Sequence, residues 1–330
     1  MSRTPAQHLH WHRLSVRHKL MALALLPLVV VLPLLLAALV LWGNAAFDRL
    51  LITKVRSDLA VAHGYFGQVL HEVGSGTQSV AASHALQLAL GAHDPASLKV
   101  QLTQAQQRLN FDFMNLYTPQ GLLLSASWGE AAAYDTADAL TFGLPRPDAA
   151  SLGGAPSAQV QRLSQAELLA LAPHLAARLQ IALIPTLGAS PSARTQENQA
   201  LVVLATLPVL SPQGQPLAWL RGGILLNQNL GLIDHINHIV YPAGALPLGS
   251  FGTATLFLDD VRITTNVRLF QDQRAIGTRV SRAVHDAVLV RGETWLDRAF
   301  VVNDWYVSGY EIPIIVDICC GNIAQFKRAI

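Results

Sequence analysis

The sequence predicts an α+β fold: an N-terminal transmembrane helix, a long stalk helix after it, and then two units built on antiparallel sheets. Three observations predict this order. Residues 20–42 contain no charge, apolar residues then recur every three or four positions from residue 47 to residue 73, and short β-rich runs between turn residues dominate the remainder. These are the patterns of a membrane span, an amphipathic helix and strands, respectively.

The uncharged run, LMALALLPLVVVLPLLLAALVLW, is 23 residues long. At the helical rise this length crosses a hydrocarbon core of about 30 Å. A cleaved signal peptide would have a shorter apolar region of about 7–15 residues, so the run predicts an uncleaved, single-pass anchor. Residues 1–19 carry four basic residues and no acid. Because positive flanks stay inside, this tail is predicted to be cytoplasmic and the bulk of the chain periplasmic, at the inner (plasma) membrane.

Composition excludes several classes of function. The chain is 51% hydrophobic and 13% charged, which is too apolar for disorder. Outside the N-terminal tail the chain has 19 of its 23 basic residues and all 21 acidic residues. This balance predicts no nucleic-acid partner. Cys319 and Cys320 are the only cysteines, and they have neither disulfide nor zinc spacing. Without a nucleotide loop, HExxH or GxSxG motif, the sequence predicts no enzyme, no metal and no cofactor.

Residues 43–90 predict the stalk helix. Its apolar positions recur at helical spacing, and Gly74 and Gly76 are predicted to interrupt it before the pattern resumes in SVAASHALQLAL. The apolar stripe is longer than one buried face requires, which predicts a homodimer through this helix.

Residues 91–228 predict a membrane-distal unit. Two hairpins with similar turns, at Pro119-Gln-Gly121 and Pro212-Gln-Gly214, indicate one antiparallel sheet. Between them, residues 129–198 are rich in Ala, Ser, Pro and Gly, with a helical pattern at residues 164–180. Such a long excursion over a sheet is typical of a pocket wall.

Residues 229–248 predict a connecting helix, and residues 249–315 a compact membrane-proximal unit. Its first hairpin, GTATLFLDDVRITTNV, turns at Asp259-Asp260. A short helix follows, with Ser281 as its N-cap and Gly292 just beyond its end. The last hairpin is predicted to turn at Asn303-Asp304. Residues 316–330 are set apart as an atypical tail.

GTATLFLDDVRITTNV, RAIGTRVS and RAFVVNDWYVSGYE resemble the fused double Cache domains, PAS-like extracytoplasmic sensors of bacterial transmembrane histidine kinases. Upstream, SVRHKLMALALLPL resembles the first membrane span of such kinases, and the resemblance extends over residues 14–311. It implies the ligand-sensing part of a two-component signalling receptor that binds a small molecule, an organic acid or an amino acid. The alternative is a membrane-tethered, non-signalling solute-binding domain or truncated pseudoreceptor.

The sequence departs from the family after SGYE, where a Gly-rich strand and a second membrane helix are expected. Here the chain reads IPIIVDICCGNIAQFKRAI. The departure predicts a truncated or frameshifted product, or a fragment, without the kinase module of the family, and the alternative is an unusual but intact tail. It leaves the last strand of the proximal sheet in doubt.

Alternation along VRITTNV predicts that Arg262, Thr264, Asn266 and Arg268 share one face. With Arg298 on a later strand, they predict a pocket for a small carboxylate, and the alternative is that both arginines form surface ion pairs with Asp260, Asp297 or Asp304. The resemblance implies that Arg262 and Arg298 hold carboxylate oxygens, with Thr265 where a His often stands. The remaining site residues predicted here are the wall residues Trp305, Tyr306 and Tyr310, and the distal alternatives Asn115, Tyr117 and Arg221.

Overall fold

The computed structural model describes residues 16–129, 158–246, 251–269, 273–302, 304–311 and 315–322. The chain divides into two compact units, residues 1–53 and residues 54–330. Within the described ranges, no helix combines the length and the hydropathy that a membrane crossing requires. The span predicted at residues 20–42 is therefore not confirmed.

Seven α-helices occur in the described ranges: α1 (Val16–Ala81), α2 (His84–Gly91), α3 (Pro95–Leu109), α4 (Gln165–Leu171), α5 (Ala176–Leu179), α6 (Leu230–Val240) and α7 (Arg282–His285). The strands are β1 (Phe113–Tyr117), β2 (Leu123–Ala126), β3 (Gln159–Leu163), β4 (Ile181–Ala182), β5 (Gln196–Glu197), β6 (Ala200–Leu210), β7 (Pro216–Leu225), β8 (Gly252–Leu258), β9 (Val261–Thr265), β10 (Trp295–Val301), β11 (Asp304–Glu311) and β12 (Ile315–Asn322). A 3₁₀ turn at Pro173–Leu175 joins α4 to α5, and a π turn at Asp286–Val290 follows α7.

The stalk helix breaks later than its sequence predicts. Helix α1 runs without interruption through Gly74 and Gly76 and ends at Ala81, and Ser83 then caps α2 by accepting a hydrogen bond from the Leu86 amide. Gly76 serves packing, because a Cβ there would lie only 3.2 Å from side-chain atoms of Leu109 and of Phe111. A glycine that admits a neighbour this closely stays in the helix when tertiary contacts compensate its low propensity.

The two five-stranded antiparallel sheets have the same topology. The first runs β2-β1-β7-β6-β3 and the second β10-β11-β12-β8-β9. With each sheet's strands numbered along the chain, both read 2-1-5-4-3 in space. We call residues 84–228 the first module and residues 251–322 the second. The predicted pair of hairpins in one distal sheet is confirmed by β1–β2 and β6–β7.

Strand β12 corrects the boundary predicted at residue 315. It pairs antiparallel with β11 on one side and β8 on the other, so residues 316–322 complete the second sheet instead of forming an atypical tail. The sequence of this strand, IVDICCGN, gave no hairpin signal, because its partner β8 lies about sixty residues earlier in the chain. Non-local pairing of this kind leaves no short-range turn to recognise.

The turns of the second module follow the predictions with one shift. The β8–β9 turn lies at Asp259-Asp260, where Asp259 has a φ of 52°. Val301 pairs with Asp304, so Asp304 already belongs to β11, and Val302, at a φ of 60°, lies in the turn of the last hairpin. The predicted turn at residues 303–304 was thus one position late, and Asn303 lies outside the described residues.

Each sheet packs an apolar face against short helices. The core of the first module joins Phe113 and the β6 side chains to α4 and α5, and that of the second joins Phe257 and Tyr310 to α7 and the π turn. Helix α6, the connecting helix predicted at residues 229–248, buries Ile233, Ile236 and Val240, whereas Ile239 is exposed. Of the predicted pocket wall at residues 129–198, residues 130–157 lie outside the described part of the chain.

Candidate functional site

Arg262, the central residue of the predicted pocket, is buried in the second module. Its side chain is 1% exposed, its Nη1 donates to Thr278 Oγ1, and its guanidinium carbon lies 4.9 Å from the Phe257 ring centroid. The alternative placed Arg262 in a surface ion pair, whereas its side chain is buried, and Asp260, one of the expected partners, binds Arg279. Arg262 is therefore part of a polar cluster inside a folded core.

A β-bulge separates residues that the alternation rule placed on one face. Leu256 of β8 pairs with Thr264, but the next residue, Phe257, pairs with Arg262, so Ile263 is the extra residue of β9. An inserted residue reverses the side-chain alternation beyond it. Arg262 consequently lies on the Phe257 face, whereas the Thr264 hydroxyl donates to the Asn229 carbonyl at the start of α6, at 3.2 Å.

Arg298 does not join Arg262. Arg298 of β10 pairs with Val307 of β11, and two positions earlier Leu296 pairs with Gly309. Because side chains alternate along a strand, these two pairs lie on the same face of the sheet. A Cβ at Gly309 would lie 2.8 Å from Val55, so this face of the sheet is covered by α1. Arg298 is exposed at the edge of that face. The predicted pocket between the two arginines is thus absent from this structure, because a sheet separates them.

The other predicted residues of the second module make contacts within the fold. Asn266 closes the first hairpin, since its Oδ1 accepts from the Ala254 amide at 2.7 Å. The Thr265 hydroxyl lies 2.7 Å from that of Thr255. Tyr310 is 2% exposed in the core, Tyr306 is half-buried against it, and Arg268 and Trp305 are exposed.

The distal alternatives, in contrast, meet on one face of the first sheet. Asn115 of β1 pairs with Arg221 of β7, which in turn pairs with Thr206 of β6, so the three side chains lie in a row across the sheet. Tyr117 follows two positions along β1. Its ring centroid lies 5.7 Å from the Arg221 guanidinium carbon. All three predicted residues are buried.

Asn115 fixes the geometry of this cluster by using its whole amide group. Its Nδ2 donates to the Tyr117 hydroxyl oxygen at 3.1 Å and to the Leu171 carbonyl at 2.7 Å, while its Oδ1 accepts from Trp128 Nε1 at 2.9 Å. Since the Tyr117 oxygen accepts from Asn115, its own proton is directed away and can be donated elsewhere.

Arg221 carries the positive charge of the cluster. Its Nε donates to Thr206 Oγ1 at 3.1 Å, and no carboxylate among the described residues pairs with it. Burial lowers the pKa of the Arg221 guanidinium, and burial likewise raises the pKa of the Tyr117 phenol against the opposing effect of Arg221. A buried guanidinium without an acidic partner is costly, and a bound anion would remove that cost.

Trp128 and His174 complete the cluster and were missed in the sequence. Their rings stack with centroids 5.9 Å apart, and Trp128 reaches Asn115 from the segment that follows β2. His174 arrives from the turn between α4 and α5 and contacts the Asp112 carbonyl. The sequence did contain one indication of this. Trp128 directly follows the β1–β2 hairpin, so an amphipathic ring stands at the start of the predicted pocket wall.

The cluster can bind an acceptor group. The Arg221 Nη hydrogens and the Tyr117 hydroxyl are donors on one buried face, and flat rings of Trp128 and His174 stand beside them. Two charge-assisted bonds from a guanidinium fit the two oxygens of a carboxylate. In the described residues, no group of His, Cys, Asp and Glu is arranged to hold a metal ion.

A comparison with protein families finds a similarity that includes most of the second module. Residues 224–316 match the family model of the single cache domain 3. This range covers α6, the strands β8 to β11 and the first residues of β12, and it excludes the Asn115–Arg221 cluster. A search of curated proteins finds no significant match.

Solved structures of bacterial sensor domains are similar to the chain at low identity. The periplasmic domain of Vibrio cholerae LuxQ is 12% identical with a TM-score of 0.45, covering 81% of this chain and 99% of that one. The V. cholerae histidine kinase DctB sensor domain is 13% identical, with a TM-score of 0.40 and coverage of 83% and 98%. The ligand-binding domain of the Campylobacter jejuni chemoreceptor Tlp3, in complex with L-valine, is 10% identical, with a TM-score of 0.42 and coverage of 86% and 96%.

Because these TM-scores are below 0.5, the similarity rests on the family-model match, which covers four strands of the second antiparallel sheet and the start of the fifth. Residues 224–316 are therefore similar to the single cache domain 3 family.

Proposed function

We propose that this chain is the extracytoplasmic, ligand-sensing part of a transmembrane signalling receptor of the sensor-kinase type, built from two Cache modules. The Cache match of the second module supports the sensing role. The common 2-1-5-4-3 strand order supports the double arrangement, since the first module repeats the topology of the matched one. Ligand binding would shift the sheet and the attached helices between two states, which is the form a receptor output takes.

The ligand site is the cluster of Asn115, Tyr117 and Arg221 in the first module. The single observation that carries this assignment is the buried Arg221 guanidinium without a carboxylate partner among the described residues. The site would bind a small molecule that presents a carboxylate, either an organic acid or an amino acid. Tyr117 would donate a second hydrogen bond to the same group, and Trp128 would pack against the remainder of the ligand.

Membrane anchoring through residues 20–42 is part of this proposal. It is supported by the 23 uncharged residues and by the exposure of apolar side chains along this stretch of α1, among them Leu39, Leu41 and Trp42. A homodimer through α1 is supported by Leu50 and Val61, which are exposed on the same helix. The bulk of the chain would then be periplasmic, as the basic N-terminal tail predicts.

The binding experiment uses the purified full chain in detergent and a thermal-shift screen of organic acids and amino acids. We expect Arg221→Gln to weaken binding of a positive compound by about tenfold to a hundredfold, the scale of a hydrogen bond to a charged group. Arg298→Gln is the control, because Arg298 is exposed on the other module. A compound that both variants bind as tightly as the parent would show that the site is elsewhere.

The second module remains a second candidate for the ligand site. Arg262 is buried on the same face as Tyr310, and the family match covers both residues. In the same screen, loss of binding in Arg262→Gln with unchanged binding in Arg221→Gln would transfer the site to this module. A fold control is required for Arg262, since its guanidinium is packed in the core.

A further inference from the structure

One loop of the first module lies along the second module. Residues 183–195, the clasp loop, connect β4 to β5 and run beside residues 277–282. Four hydrogen bonds join the two segments: Ile184 N to Gly277 O at 2.9 Å, Arg282 N to Gly188 O at 2.7 Å, Arg279 N to Thr186 Oγ1 at 3.0 Å, and Arg279 Nη1 to Ser190 O at 2.6 Å. Two of the four are bonds between backbone groups, so main-chain hydrogen bonds connect the two modules directly.

Charge reinforces this contact at the Asp259-Asp260 turn. Asp260 is 5% exposed and accepts from Arg279 Nε at 2.7 Å, while Arg194 of the clasp loop lies 3.8 Å away. Asp259, on the outer side, pairs with Arg162 of β3 in the first module. The outer pair is exposed and contributes little. The Arg279–Asp260 pair is largely buried, and Arg279 Nη1 also donates to Ser190 O, so the Arg279 guanidinium is oriented toward the clasp loop.

Gly277 shows how close the two modules come. Its φ is +83°, and a Cβ at this position would lie 2.1 Å from the Ala182 carbonyl oxygen. No side chain fits at this distance, so the contact requires glycine for its space as well as for its φ.

The same short segment is bonded to the Arg262 backbone and side chain. Arg262 N donates to Thr278 O and Gly277 N donates to Arg262 O, both at 2.9 Å, and Arg262 Nη1 donates to Thr278 Oγ1. Residues 277–279 therefore have β9 on one edge and the clasp loop on the other. Movement of Arg262 cannot leave Gly277 and Thr278 in place without breaking these three bonds.

We propose that residues 277–279 are a coupling element, through which a change at Arg262 alters the stability of the clasp loop and a change in the clasp loop alters the stability around Arg262. The structure provides the mechanism, since both partners share one three-residue backbone segment. A coupling free energy is reciprocal, so a perturbation at Arg262 or in the clasp loop must change the stability of the other. The two modules then respond to a signal as one body.

Hydrogen exchange of the purified full chain, followed by mass spectrometry, tests the coupling. We expect Gly277→Ala to accelerate exchange of residues 183–195 by about tenfold, since the added methyl displaces the Ala182 carbonyl. The matched control is Gly292→Ala. Gly292 also has a positive φ, of +69°, but nothing lies within 4 Å of its Cβ position. This control bears the same backbone strain and is expected to leave the clasp loop at the parent rate.

Two milder variants decide the question even if Gly277→Ala does not fold. Thr186→Ala is expected to accelerate exchange at the amides of Arg262 and Val280, which bind Thr278 O and Asp260 O and do not touch the clasp loop. Thr103→Ala, whose hydroxyl binds Ser127 O within the first module, is the control. Conversely, Arg262→Gln is expected to accelerate exchange across residues 183–195. A response in neither direction, or in one direction only, would overturn the coupling.

Discussion

Arg262 and Arg298 lie on opposite faces of the second sheet, so one ligand cannot bridge them in this structure. Arg262 stacks on Phe257 in the core, whereas Arg298 belongs to the α1-covered face and is exposed at its edge. The relationship is the reason that the proposed carboxylate site lies in the first module, where Asn115, Tyr117 and Arg221 share a face. It also assigns different consequences to the loss of each arginine.

We expect Arg262→Ala to reduce the free energy of unfolding by about 2–3 kcal/mol, because it removes a buried side chain and its bond to Thr278. Arg298→Ala is expected to change it by less than about 0.5 kcal/mol, the usual range for exposed positions. Urea unfolding of the full chain, followed by circular dichroism, measures both. Equal losses in the two variants would contradict the placement of the arginines on different faces.

Asn115→Ala is expected to destabilise the protein by about 1–3 kcal/mol, since it removes the buried hydrogen bonds of Asn115 with the Leu171 carbonyl and with the Trp128 indole. The comparison is Asn110→Gly. Asn110 ends α3 at a φ of 54°, a conformation that glycine adopts freely, so this change should be nearly neutral. If the two variants unfold at the same urea concentration, the Asn115 network is not an organising feature of the first module.

Two glycine substitutions should have opposite signs. A Cβ at Gly223 would lie 2.5 Å from the Val203 carbonyl oxygen, and Gly223→Ala should cost about 1–3 kcal/mol by overpacking. Gly64 lies within α1 with nothing near its Cβ position, and Gly64→Ala should stabilise by about 0.5–1 kcal/mol through helix propensity. Thermal midpoints of both variants check the signs. A gain of stability in Gly223→Ala would contradict the close approach of β6 and β7.

Acid should weaken the start of α3 through Asp94. Hydrogen bonds from the Ser97 hydroxyl and from the Ser97 and Ala96 amides lower the pKa of Asp94. A carboxyl whose pKa is lowered on folding adds stability above its unfolded pKa of 3.8, and that stability is lost as the pH falls below it. We expect the thermal midpoint to fall less between pH 5 and pH 3 in Asp94→Asn, which keeps an N-cap but cannot titrate. Identical pH dependence in parent and variant would show that Asp94 does not contribute.

The chain should not incorporate phosphate when incubated with ATP and magnesium. The expectation follows from the sequence, which contains no nucleotide-binding glycine loop. Radiolabelled ATP and the purified full chain provide the measurement, with an unrelated sensor kinase as the positive control. Incorporation at the level of the control would show that a catalytic site escaped recognition.

Local patterns determined much of the architecture. The periodicity of residues 47–73 predicted α1, the Pro-Gln-Gly turns predicted the two hairpins of the first sheet, and the Asp259-Asp260 dipeptide predicted the β8–β9 turn. These features depend on neighbours a few positions apart, which a sequence displays directly. Asn115, Tyr117 and Arg221 could be named for the same reason, because each lies on a recognisable strand.

Tertiary structure alone decided which of those residues meet. The bulge at Ile263 turned Arg262 away from the face of Thr264, and the central position of β12 depended on pairing with β8. Trp128 and His174 came together from segments more than forty residues apart. A sequence fixes side-chain alternation only within one uninterrupted strand. The face that a strand presents to another depends on register, bulges and pairing between distant segments, and these are settled by the packing of the whole sheet.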